Sequence, residues 1–135
     1  MRTLLELARP RTLPLALAVI CCGNALAYTH GAWRFSVFLL SLLTALSLQI
    51  LSNIANDYGD GVRGPDRHRP ASAPRRLTAS GAVSIRQMRQ LLAAGVLASL
   101  SFGIALLAVS SPSWSDLLLF LLLGALAILA AITYT

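Results

Sequence analysis

The residues able to do chemistry form a short polar stripe: Gln49, Asn53, Asn56 and Asp60, spaced four, three and four positions apart. At about 100° per residue, a helix keeps all four within about 60° of arc on one face. Asp57 lies on the flank of that stripe, and Asp66 follows Asp60 with five residues between them. Asn53 and Asn56 offer amide oxygens, while Asp57, Asp60 and Asp66 offer carboxylates. A small number of hard oxygen donors suits Mg2+, which keeps several waters and takes its remaining ligands from substrate phosphate. Gly59, Gly61 and Gly64 let the backbone turn, or approach an anion closely, after the helix ends. Arg63, Arg67 and the later arginines offer guanidinium groups to phosphate oxygens.

The same residues have a plainer reading. Asn and Asp at a helix end with glycines behind them also describe a C-terminal cap and a solvated turn. A cap accounts for the last of these residues but not for Gln49 and Asn53, which lie deeper in an apolar run. The arginines, likewise, fit attraction to anionic lipid headgroups. Nucleic acid is excluded as a partner, because no aromatic platform is interleaved with the charges.

The elements that must position the stripe are membrane helices. The 135 residues are 56% hydrophobic and only 12% charged, with a mean hydropathy of +0.71, which excludes a disordered chain or a disulfide scaffold. Four apolar stretches, 13–30, 35–55, 91–111 and 117–135, each approach the twenty or so residues that a helix needs to cross hydrocarbon. The fold class expected is all-α, a multi-pass bundle with four transmembrane helices and a connecting loop over 56–90 that carries the acidic residues. Helices are required, since a lone strand or loop at that depth leaves backbone N–H and C=O groups without partners.

Arginine placement orients the bundle. All eleven basic residues are Arg and five residues are acidic, for a net charge of +6. Arg2, Arg9 and Arg11 precede the first span, seven more lie between the second and third, and Arg34 alone falls on the other side. The positive-inside rule therefore makes the amino terminus and the loop 56–90 cytoplasmic, in a cell inner membrane. Trp33 and Trp114 then fall at the outer interface. Ala25-Leu26-Ala27 after a basic start imitates a signal-peptide cleavage site, but Glu6, Pro10 and Pro14 fit an interfacial segment breaking into a membrane helix better. Cys21 and Cys22, adjacent in an apolar run, frame neither a disulfide nor a zinc site. His30 and His68 read as an interfacial and a loop residue. Ser84-Ile85-Arg86-Gln87 has the form of a capping box and starts the third spanning helix before it enters lipid. The chain stops on Ala130 to Thr135 with no polar tail, an ending that reads as an interruption.

The segment from Gln49 to Asp60, continuing Gly61-Val62-Arg63-Gly64-Pro65-Asp66, closely resembles the first aspartate-rich motif of the UbiA superfamily of intramembrane prenyltransferases. The spacing Asn56-x-x-x-Asp60, then five residues to Asp66, is similar to the branch that prenylates 1,4-dihydroxy-2-naphthoate in menaquinone synthesis. Arg9-Pro10-Arg11-Thr12-Leu13-Pro14-Leu15 resembles the family's entry into its first helix. The resemblance implies a nine-helix fold of which this chain is the amino-terminal part, with a second aspartate-rich motif further on. It implies a Mg2+-dependent enzyme that transfers a polyprenyl group from polyprenyl diphosphate to 1,4-dihydroxy-2-naphthoate, giving demethylmenaquinone. Asn56, Asp60 and Asp66, with Asp57 nearby, are then the metal ligands. Asn53, Arg63, Arg75, Arg76 and Tyr58 are then the candidates for diphosphate or aromatic contact. Ala73-Pro74-Arg75-Arg76-Leu77 departs from the family's Gly-Pro followed closely by Arg. Another aromatic acceptor, a transporter lined by the stripe and a non-enzymatic assembly subunit are the competing readings, and the isolated chain is expected to be inactive.

Overall fold

The computed structural model describes residues 2–63 and 83–133. A short helix α1, Arg2–Ala8, ends where Arg9 takes a left-handed conformation at φ 47°. Pro10 disfavours the right-handed helical region for Arg9 and so ends α1 there; the left-handed conformation itself is one that a side-chain-bearing residue keeps only where its surroundings fix it. Pro10–Thr12 then makes one turn of 3-10 helix, with proline at the first position, where its missing N–H costs nothing. This elbow leads directly into α2, Leu13–Thr29.

The end of α2 is set by Gly31 at φ +67°. Ala32 N donates to Ala27 O at 2.9 Å and Gly31 N to Tyr28 O at 3.0 Å, the paired bonds of a Schellman cap that requires a left-handed residue at this point. Helix α3, Phe35–Arg63, follows. Its 29 residues extend about 43 Å at about 1.5 Å per residue, well beyond the roughly 30 Å of a hydrocarbon core. A helix entering lipid at Phe35 therefore leaves it near Ala55, and its last two turns stand among the headgroups.

That length corrects one expectation. Gly59 and Gly61 do not end the helix but lie within it, and α3 continues to Arg63. Each glycine costs a helix about 1 kcal/mol relative to alanine, a penalty that packing around the end of α3 outweighs. The expected turn at Gly64 lies outside the described residues.

Helix α4, Ile85–Ser110, begins with the capping box expected from the sequence. Gln87 N donates to Ser84 Oγ at 3.2 Å, and Ser84 N donates to Gln87 Oε1 at 3.0 Å. Ser84→Ala is expected to cost the first turn about 1 kcal/mol, read as a roughly fivefold faster hydrogen exchange at the Gln87 amide. Helix α5, Trp114–Thr133, completes the chain; Ser113 caps it, accepting from Asp116 N at 3.3 Å and donating to Asp116 Oδ2 at 2.6 Å.

Among the described residues, four helices are long and apolar enough to cross a membrane. Their exposed apolar surface fits lipid as a solvent: α2 buries no residue, and in α5 only Ala131 is buried. Several polar side chains inside these helices bond to carbonyls one turn back. Asn24 Nδ2 reaches Ile20 O at 3.0 Å, Thr44 Oγ1 Leu40 O at 2.7 Å and Ser99 Oγ Gly95 O at 2.9 Å. Such groups are satisfied within their own helix.

Packing is most extensive between α3 and α4. The densest core is not at mid-membrane but at the far end of α3, where Leu7, Ile54, Val83 and Met88 form one cluster with Ile50, Tyr58, Leu91 and Leu92 against it. Helix α1, the end of α3 and the start of α4 thus meet at the polar motif.

Candidate active site

The site is built on the last three turns of α3. Asn56 and Asp60 are one turn apart on one face and remain half-buried. Their neighbours on the packed side are enclosed: Asn53 is 6% exposed and Asp57 3%. This division follows from helix geometry, because Asp57 falls three positions after Ile54, which packs with Leu7 of α1 and Met88 of α4, and four after Asn53, which faces the amino-terminal segment. Asn56 and Asp60 are therefore the more open of the four, although Oδ2 of Asp60 is itself enclosed.

Asn53 does not open onto this space. Its Nδ2 donates to Ala8 O at 2.8 Å and to Thr12 Oγ1 at 2.9 Å. Tyr58 likewise belongs to the packing: its ring lies against the Leu7 cluster, and its hydroxyl accepts from Arg89 Nε at 3.1 Å. Gln49, at the inner end of the stripe, lines a cavity of about 380 Å³ with Ser52, Leu48 and Ala131 between α3 and α5. Thus the stripe is one face in sequence but three environments in space.

Arg63 is the last residue of α3. Asp66, Arg75 and Arg76 lie outside the described residues. Among the described residues no cluster of three His, Cys, Asp or Glu side chains is placed to hold a metal. The donor set present, one amide oxygen and one carboxylate at helical spacing and partly open, fits two positions of a Mg2+ ion that retains waters and accepts phosphate oxygens. Asn53 and Asp57, by their burial, stand behind that pair.

Three supporting contacts were not read from the sequence. Arg89 passed as one of a run of topological arginines, yet it ties α4 to Tyr58. Thr12 and the Ala8 carbonyl hold Asn53, and their only sequence signal is the Arg9-Pro10 step that bends the chain. Leu7 sits in a segment too short to stand out by hydropathy.

The chain matches the profile of the UbiA prenyltransferase family over residues 16–135. It is 47% identical over 131 residues to the 1,4-dihydroxy-2-naphthoate octaprenyltransferase of Escherichia coli (strain K12), a match covering 97% of this chain and 42% of that protein. The protein of the same description from Haemophilus influenzae is 46% identical over 132 residues, covering 96% of this chain and 42% of the relative. That from Mycobacterium leprae is 39% identical over 131 residues, covering 95% and 41%. The chain thus spans about two fifths of the length of these relatives. No solved structure matches it significantly.

Proposed function

Because this chain belongs to the UbiA prenyltransferase family, we propose that it carries the diphosphate-binding helix of a Mg2+-dependent enzyme that prenylates 1,4-dihydroxy-2-naphthoate for menaquinone synthesis. The observation that supports the reading best is the half-open Asn56 and Asp60 pair, held at the end of a helix that emerges from the hydrocarbon. The relatives' description supports the choice of acceptor.

In this reading Asn56 and Asp60, joined by Asp66, hold the ion, and Asp57 adds negative charge behind them. Mg2+ bound there supplies positive charge that stabilises the departing diphosphate. The allylic C–O bond of the polyprenyl donor breaks with its electron pair leaving on the diphosphate. The electron-rich naphthoate ring supplies the pair for the new C–C bond, and loss of its carboxylate as CO2 restores the aromatic ring. Arg63, Arg75 and Arg76 are proposed to meet phosphate oxygens. The apolar faces of α3, α4 and α5 keep water from the developing cation and accept the prenyl tail from the bilayer. The site opens to the cytoplasmic face of the cell inner membrane, the side that holds ten of the eleven arginines.

The test is prenyl transfer by the complete gene product in membranes supplied with polyprenyl diphosphate and 1,4-dihydroxy-2-naphthoate. Expected are a prenylated naphthoquinol and an equivalent of CO2, both abolished by EDTA and restored by Mg2+. Transfer that survives EDTA overturns the metal assignment, and preference for a different aromatic acid overturns the acceptor.

A further inference from the structure

The amide of Asn53 has its orientation dictated by chemistry. A carbonyl oxygen only accepts, so the group facing Ala8 O must be the NH2, and Nδ2 makes both of its contacts to the amino-terminal segment. Thr12 is anchored in turn: its Oγ1 and its backbone N both donate to Arg9 O, at 3.0 and 2.9 Å. The Thr12 hydroxyl proton is thus used on Arg9, and its oxygen receives Asn53. The segment so held contains the left-handed Arg9, a conformation that side-chain-bearing residues keep only where their surroundings fix it. The next residue along α3, Ile54, packs in the same cluster as Leu7 of α1. Two successive residues of α3 therefore grip the amino-terminal segment, one by polar and one by apolar contact.

We propose that Asn53 is a positioning residue and not a diphosphate ligand: it latches the elbow of Arg9 to Thr12 onto α3 one turn before Asn56, making the elbow a wall of the site. The latch fixes the rotation of the last turns of α3 against α1, and with it where Asn56 and Asp60 present their oxygens. The role in catalysis rests on the prenyltransferase reading; the latch itself does not.

Asn53→Asp separates the two roles because it keeps the size and the oxygen but removes the donor. A ligand at this position keeps its activity as Asp and needs less Mg2+. A latch loses both contacts and sets a carboxylate against the Ala8 carbonyl. In the complete gene product, Asn53→Asp and Asn53→Ala are both expected to lower kcat/KM about tenfold or more, from the loss of buried hydrogen bonds. Thr12→Val, a milder change, gives a smaller loss that disappears in the Asn53→Ala background, whereas two independent roles give additive losses.

A second readout needs no turnover. In detergent, trypsin is expected to cut the Arg11–Thr12 bond several-fold faster in both Asn53 variants than in the parent. Faster cutting in a protein whose parent form transfers no prenyl group supports the latch and removes the prenyltransferase reading. Unchanged cutting, or wild-type activity in Asn53→Asp with a lower Mg2+ requirement, overturns the proposal. Faster cutting with undiminished activity overturns it too, since the elbow is then tied down without serving the site.

Discussion

Asp60→Asn is expected to lower prenyl transfer by the complete gene product about a thousandfold, the scale seen when one strong electrostatic contact to a developing charge is removed. The substitution keeps the shape of a half-buried side chain, removes its charge and replaces one acceptor oxygen by an NH2 donor, and Oδ2 of Asp60 is enclosed. A thermal-unfolding control therefore accompanies the assay, and loss of rate at unchanged stability falls on the metal. Mg2+ titration makes the test specific: the ion concentration for half-maximal rate rises in Asp60→Asn, and excess Mg2+ recovers part of the rate. Activity within a few-fold of the parent at low Mg2+ would remove Asp60 from the ligand set. The same substitution at Asp57, 3% exposed, acts differently. It disturbs a buried charge behind the open pair, so stability falls together with activity.

Gly95→Leu is expected to have the largest effect on stability. A Cβ built on Gly95 meets Leu51 Cδ1 at 3.1 Å, its Cβ at 3.5 Å and its Cα at 3.7 Å. Leu51 is fully buried, so its side chain has little room to withdraw. A branched side chain on α4 must push the two helices apart where they pack most extensively. Overpacking of this kind costs roughly 1–3 kcal/mol, and small residues are what permit close approach between helices in lipid. Denaturant titration in mixed micelles should show a clearly lower midpoint for Gly95→Leu. Gly103→Ala is the control: its Cβ meets only Thr44 Cγ2, at 3.9 Å, and the midpoint should hold or rise, by up to the roughly 1 kcal/mol that alanine gains over glycine within a helix.

The helical fold was legible because hydrocarbon permits few alternatives: runs such as 117–135 have no other way to satisfy their backbone. The capping box at Ser84 was legible for a similar reason, as its two bonds depend on residues three apart. The end of α3 was not. Gly59 and Gly61 are local signals for a turn, and they lose to tertiary contacts made by Leu7, Val83 and Met88, which come from distant parts of the sequence. The stripe was read correctly as one face of a helix, but its division was hidden. Whether an asparagine faces water or another segment depends on what packs over it, and for Asn53 that partner lies 45 positions away in the chain. Asn56 and Asp60 differ from Asn53 by position along the face alone, and no residue type marks the boundary.

Arg34, the one arginine on the far side of the membrane in this topology, donates from Nη1 to Val109 O at 3.2 Å and from Nη2 to Ser110 O at 3.3 Å. It thus sits on the carbonyls left open at the end of α4, where a cation is favoured by the helix dipole. Its partners are made 75 and 76 residues later, after the large basic loop and nearly all of α4. In the proposed orientation, the hairpin of α2 and α3 would then place a solitary positive charge across the bilayer during synthesis, before its acceptors on α4 exist. Once α4 has followed, the guanidinium finds these acceptors, and in that orientation the third spanning helix would fasten the first two as they entered.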